Sequence, residues 1–119
     1  MPDKPPTANQ ITAELLIRLP KEFPGSFSWR NNTGAVKLDN RFIRFNLKGA
    51  PDILAVIRGT LFGLEIKGPG DKQSVEQESW AHALNTAGGK YLLIEKIIWD
   101  SGKPAIGKVL EELKAIVNT

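Results

Sequence analysis

Pro51-Asp52-Ile53-Leu54-Ala55-Val56-Ile57, Arg58-Gly59 and Thr60-Leu61-Phe62-Gly63-Leu64-Glu65-Ile66-Lys67-Gly68 form the stretch whose reading decides the fold. Two apolar runs, rich in β-branched residues and bounded by Gly or Pro, flank a two-residue break, as paired buried strands do. A two-residue turn at Arg58-Gly59 pairs Ile57 with Thr60. Stepping outward from there sets Asp52 opposite Glu65, with Cβ atoms about 5 Å apart on one face. Lys67 shares that face; Ile53, Ala55, Ile57, Phe62, Leu64 and Ile66 take the other. A one-residue bulge in the hairpin would move Asp52 to the wrong face.

Two carboxylates opposed in a sheet repel each other. A hard divalent cation, held by one or two carboxylates with water and substrate phosphate, would offset the repulsion. Lys67 would then stand beside an attacking water or a charged phosphate. The same three residues also read as an ion-pair cluster in which Lys67 neutralises the acids. Glu-x-Lys alone does not separate these readings.

The chain has 119 residues, enough for one domain with a real core. No apolar run approaches the roughly 18 residues of a membrane span. The polar, Pro-rich start does not read as a signal peptide, which together with the absence of cysteine fits a cytoplasmic setting. Without cysteine there are no disulfides or thiolate metal sites. The single histidine, His82, excludes multi-histidine zinc chemistry. A net charge of +3 is compatible with a phosphate-rich partner without identifying one.

Residues 1–7 read as a flexible tail and 8–119 as the domain. A first helix is expected from 7–9 to about Leu19, with Ile11, Leu15, Leu16 and Leu19 as its apolar stripe and Pro20, Pro24 and Gly25 ending it. Glu14 lies at the margin of that stripe, where a solvated helix carboxylate is the plain reading. Residues 26–30 alternate as a half-exposed strand, and 41–46 alternate again. Between them, Asn31-Asn32-Thr33-Gly34 reads as a turn and 37–40 as loop. Arg30, Asn31, Asn32 and Lys37 suit phosphate contacts and suit a plain surface turn equally; Lys72 joins them from the loop after Lys67. Gly49 would allow a close backbone approach to a ligand. Ser74-x-x-Gln77 is a capping box opening a second helix, which by itself explains Gln77. Trp80, Ala81, Leu84 and Ala87 make that helix's inward stripe, and Gly88-Gly89 close it. His82 lies off the stripe and reads as exposed. Residues 90–96 form a strand parallel to the Glu65 strand through a right-handed β-α-β crossover. A last helix over about 104–117 carries Ile106, Val109, Leu110, Leu113, Ile116 and Val117.

Gly49-Ala50-Pro51-Asp52, Leu64-Glu65-Ile66-Lys67-Gly68-Pro69, Ser74-x-x-Gln77-x-x-Trp80 and Gly88-Gly89, in this order and spacing, resemble the VRR-NUC (virus-type replication-repair nuclease) family of the PD-(D/E)xK nuclease superfamily. The resemblance spans roughly residues 10–96. Ile66 stands where many relatives carry valine. It implies an α/β, restriction-endonuclease-like core: a mixed β-sheet of about five strands flanked by three helices. It further implies a phosphodiester hydrolase using Mg²⁺ or Mn²⁺ on branched DNA such as Holliday junctions or flaps, working as a homodimer like small phage and bacterial members. On that resemblance Asp52, Glu65 and the Ile66 carbonyl hold the metal, and Lys67 orients the water and stabilises developing charge. Gln77 supports the site from its helix, and Glu14 is a further metal ligand from the first helix. A non-catalytic nucleic-acid-binding module, and a nuclease acting on linear DNA or RNA, remain alternatives.

Overall fold

The computed structural model describes residues 4–31 and 48–119, and the backbone of 35–38 and 41–44. In chain order the elements are α1 (Ala8–Glu22), β1 (Phe27–Arg30), β2 (Ala35–Leu38), β3 (Arg41–Arg44), β4 (Ile53–Ile57), β5 (Thr60–Ile66), α2 (Val75–Thr86), β6 (Lys90–Ile94), β7 (Trp99–Asp100), β8 (Lys103–Pro104) and α3 (Gly107–Val117). The class is α/β, with three helices and a mixed four-stranded sheet in the order β1-β4-β5-β6.

The central hairpin has the expected register. Ile57 pairs with Thr60 and Ile53 with Leu64, antiparallel and without a bulge. Arg58 (φ 50°) and Gly59 (φ 80°) both occupy the left-handed region, which defines a type I′ turn whose twist suits a hairpin. β6 pairs with β5 in parallel, as a connection through α2 requires. Ile53, Ala55, Ile57, Phe62, Leu64 and Ile66 are all buried on one face. Ile11, Leu15 and Leu19 of α1 and Val109, Leu110 and Leu113 of α3 close over them in one core. α2 lies on the opposite face, where its Leu84 packs onto Gly63 beside Pro51.

Several boundaries differ from the sequence reading. About five strands in one sheet were expected; among the described residues there are four, because β3 pairs with β2 in a separate two-stranded ladder. Lys37, expected in a loop, lies in β2. α1 runs through Pro20 to Glu22. A proline near a helix end removes only one backbone bond, and the extra turn is held by the Phe23 N–H to the Leu19 carbonyl and by Glu22 pairing with Arg18 and Lys114. A reciprocal Thr7–Gln10 capping box starts α1. Residues 4–7, expected within a tail, pack onto the domain: Pro6 is fully buried, and the Trp99 indole N–H donates to the Lys4 carbonyl at 2.7 Å. Of the α2 stripe only Leu84 is buried, while Ala87 is exposed, since the helix covers only part of the sheet. No helix among the described residues is long and apolar enough to cross a membrane.

Candidate active site

The hairpin delivers two carboxylates to the face under α2. Asp52 enters β4 one residue before its first ladder pair, and its Oδ2 accepts the Ile66 N–H at 2.8 Å. The neighbouring bond runs from the Lys67 N–H to the Ile94 carbonyl of β6. By strand alternation, the amide and carbonyl of Ile66 therefore both turn toward the Asp52 side. Glu65 is 3 % exposed, and its Oε2 accepts from Gln77 Nε2 at 2.9 Å. Its Oε1 is buried and meets no N–H or O–H donor, while the Asp52 carboxylate lies within hydrogen-bonding reach of the Glu65 carboxyl. Lys67 is 9 % exposed; its Nζ lies 3.7 Å from Glu65 Oε2 and donates to Gln77 Oε1 at 2.7 Å.

Gln77 holds this arrangement together. Its Oε1 also accepts the Ser74 N–H at 2.8 Å, while its own backbone N–H donates to Ser74 Oγ. The capping box and the bridge to Glu65 and Lys67 are therefore made by one side chain. Gly49 positions that helix start. With φ 89°, a Cβ there would sit 2.5 Å from the Glu76 carbonyl carbon and oxygen. The close approach expected of Gly49 is thus to the backbone of α2, not to a ligand.

The electrostatics follow from this packing. Burial pushes the Glu65 carboxyl up to about 8, and the charge of Asp52 pushes the same way against the pull of Lys67. Tyr91, on the same face through its pairing with Gly63, accepts from Gln73 Nε2 at 3.2 Å. Its phenol is pushed up to about 12, chiefly by burial, with the charges of Glu65 and Asp52 acting the same way and the hydrogen bond from Gln73 opposing them. Nothing in the tyrosine's local sequence signals its proximity to the acids; only the β5–β6 register does.

The other expected residues separate from this group. Asn31 is buried and braces the entry to β4, its N–H on the Asp52 carbonyl at 2.7 Å and its Nδ2 on the Pro51 carbonyl at 3.0 Å. That is a structural place rather than a surface nucleic-acid contact. Arg30 sits opposite Ile53, so it faces the α1 side, where its guanidinium donates to Asn9 Oδ1. Lys72 is exposed on the loop between β5 and α2. Asn32 and the Lys37 side chain lie outside the described residues. Glu14 is buried on α1. Among the described residues no group of three acidic or histidine side chains comes together, so Glu14 does not join Asp52 and Glu65. A metal here would rest on the two carboxylates completed by backbone, water and substrate oxygens. Glu65 Oε1, met by no N–H or O–H donor and buried beside a second carboxylate, fits that donor set.

Protein-family models, curated proteins and solved structures return no match to this chain.

Proposed function

We propose that the chain is a divalent-metal-dependent endonuclease that hydrolyses phosphodiester bonds in DNA, branched DNA in particular, on a restriction-endonuclease-like core. The observation that carries the reading is the buried Glu65 carboxyl set against Asp52, its Oε1 met by no N–H or O–H donor, with Lys67 tethered on the other side. Asp52, Glu65 and the Ile66 carbonyl would hold Mg²⁺ or Mn²⁺, which supplies a nucleophile at neutral pH and neutralises phosphate charge. The remaining work belongs to the chain's own groups. The Ile66 N–H orients Asp52, and Gln77 orients Glu65 and Lys67 together. Lys67 holds a positive charge where negative charge accumulates on the phosphorus oxygens. The preference for branched DNA and a homodimeric state rest on the family resemblance. A two-fold dimer would offer one site to each symmetric strand of a four-way junction.

The test is cleavage of four-way, flap and linear DNA and of RNA, each with Mg²⁺ or Mn²⁺, by wild type and Lys67→Ala. Loss of one charge-stabilising group should slow cleavage about 100- to 1000-fold. Undiminished cleavage by Lys67→Ala would remove the lysine from the chemistry. No cleavage by wild type, with no heat of Mn²⁺ binding by calorimetry, would favour a non-catalytic nucleic-acid-binding module.

A further inference from the structure

α2 covers the β5–β6 side of the carboxylate face, and among the described residues no helix lies over the β1 side. β1 is an edge strand, and Phe27 and Trp29 stand opposite Val56 and Leu54, on the face that carries Asp52. Phe27 is 66 % exposed and Trp29 37 %, and their rings lie 5.2 Å apart at 48°. An edge strand over a core ordinarily turns its aromatic side inward. Here Ser28 takes the α1 side opposite Ala55, and Ser26 Oγ is buried, while both large rings face outward. Trp29 opposes Leu54, so Asp52 is its diagonal neighbour across the strand pair, with Cβ atoms about 7–8 Å apart.

We propose that Phe27 and Trp29 form a stacking platform for one or two unpaired bases of a nucleic-acid strand whose phosphate reaches Asp52 and Glu65. This rests on the nuclease reading and narrows its substrate to strands with unpaired nucleotides beside the cut, such as the single-stranded side of a branch. Two observations choose the occupant. At their 66 % and 37 % exposure the two rings together offer roughly 150–250 Å², well short of the roughly 800 Å² per partner that a stable protein interface buries. The tilted rings adjoin a carboxylate pair built to meet phosphate, on a chain of net charge +3. Stacking on such rings is worth about 1–3 kcal/mol per base and tolerates any sequence.

The test is binding of a short fluorescein-labelled oligo-dT, of an abasic strand of equal length, and of a blunt duplex, to the full chain in EDTA, where cleavage cannot occur. Trp29→Leu should weaken oligo-dT binding about 10- to 100-fold and leave duplex binding nearly unchanged. Trp29→Phe should restore most of the affinity, which also shows that the site tolerates substitution without unfolding. The abasic strand should bind the parent protein about as weakly as oligo-dT binds Trp29→Leu. Equal oligo-dT affinity for parent and Trp29→Leu overturns the proposal. So does loss of a dimer in light scattering on Trp29→Leu, which would make the patch a contact between copies. Cleavage with Mg²⁺ or Mn²⁺ is read separately: its absence defeats the nuclease reading, whereas the platform is decided by binding alone.

Discussion

Replacing Glu65 with glutamine removes one ionisable group from the site while keeping the side chain's shape and its ability to accept from Gln77 Nε2. The consequence for stability follows from the raised carboxyl. At low pH both folded and unfolded chains hold the proton, so Glu65 costs nothing. As pH rises past the ordinary value of 4.5, the unfolded chain releases its proton while the folded chain keeps it until about 8. The unfolded state thus binds fewer protons across this window, and stability falls as pH rises. The gap between 4.5 and about 8, at about 1.4 kcal/mol per pH unit, caps the loss at roughly 5 kcal/mol. Glu65→Gln cannot ionise and escapes it. Urea unfolding in metal-free buffer from pH 5 to pH 9 should show the variant gaining several kcal/mol on wild type, with nearly all of the divergence below about pH 8. Mn²⁺ at slightly alkaline pH should then raise the wild-type midpoint, because it selects the deprotonated carboxylate, and should leave the variant almost unmoved. Parallel pH profiles would refute the buried carboxylate pair. Equal stabilisation of both proteins by Mn²⁺ would refute Glu65 as a ligand.

Three further substitutions probe the scaffold. Gly49→Ala drives a methyl group into the first-turn backbone of α2 and strains a positive φ; a loss of about 1–3 kcal/mol or more is expected in urea unfolding, together with weaker Mn²⁺ binding as Gln77 shifts. Gln77→Met strips the bridge between Glu65 and Lys67 and half of the capping box. It should cost about 1–3 kcal/mol through the unpaired polar groups left behind, and unchanged stability would mean that the bridge is not formed. Arg58→Asn suits the type I′ turn better than arginine does and should raise the unfolding free energy by about 0.5–1 kcal/mol; a loss of stability would contradict the two-residue turn.

The hairpin was legible because side chains alternate with period two: once Arg58-Gly59 is taken as a tight turn, the faces of Asp52, Glu65 and Lys67 follow. Ser74 and Gln77 were legible as a cap because capping is local. What Gln77 does beyond the cap was expected only through the family resemblance, since its partners Glu65 and Lys67 belong to another element and the distance is set by how α2 docks. Asn31 and Gly49 were misjudged for a related reason. Polar and glycine residues near a candidate site are equally suited to ligands and to backbone, and only the packing of β1 and α2 shows that backbone is what they meet. The outward aromatics of β1 were hidden because alternation marks two faces without saying which one faces the core. Pro20 misled through a rule that holds in helix interiors and weakens in a last turn.

The shared oxygen of Gln77 has a practical consequence. Ser74 N–H and Lys67 Nζ both lean on Oε1, so any ligand that draws the ammonium group away changes the bonding of the first turn of α2. The opening turn of that helix thereby becomes an indicator of events it does not touch. Amide exchange at Ser74 and in the residues after it should change when phosphate or metal arrives, and Trp80, one turn from Gln77, offers an optical signal of the same event. The helix start can be read as a built-in reporter on a site that is otherwise buried.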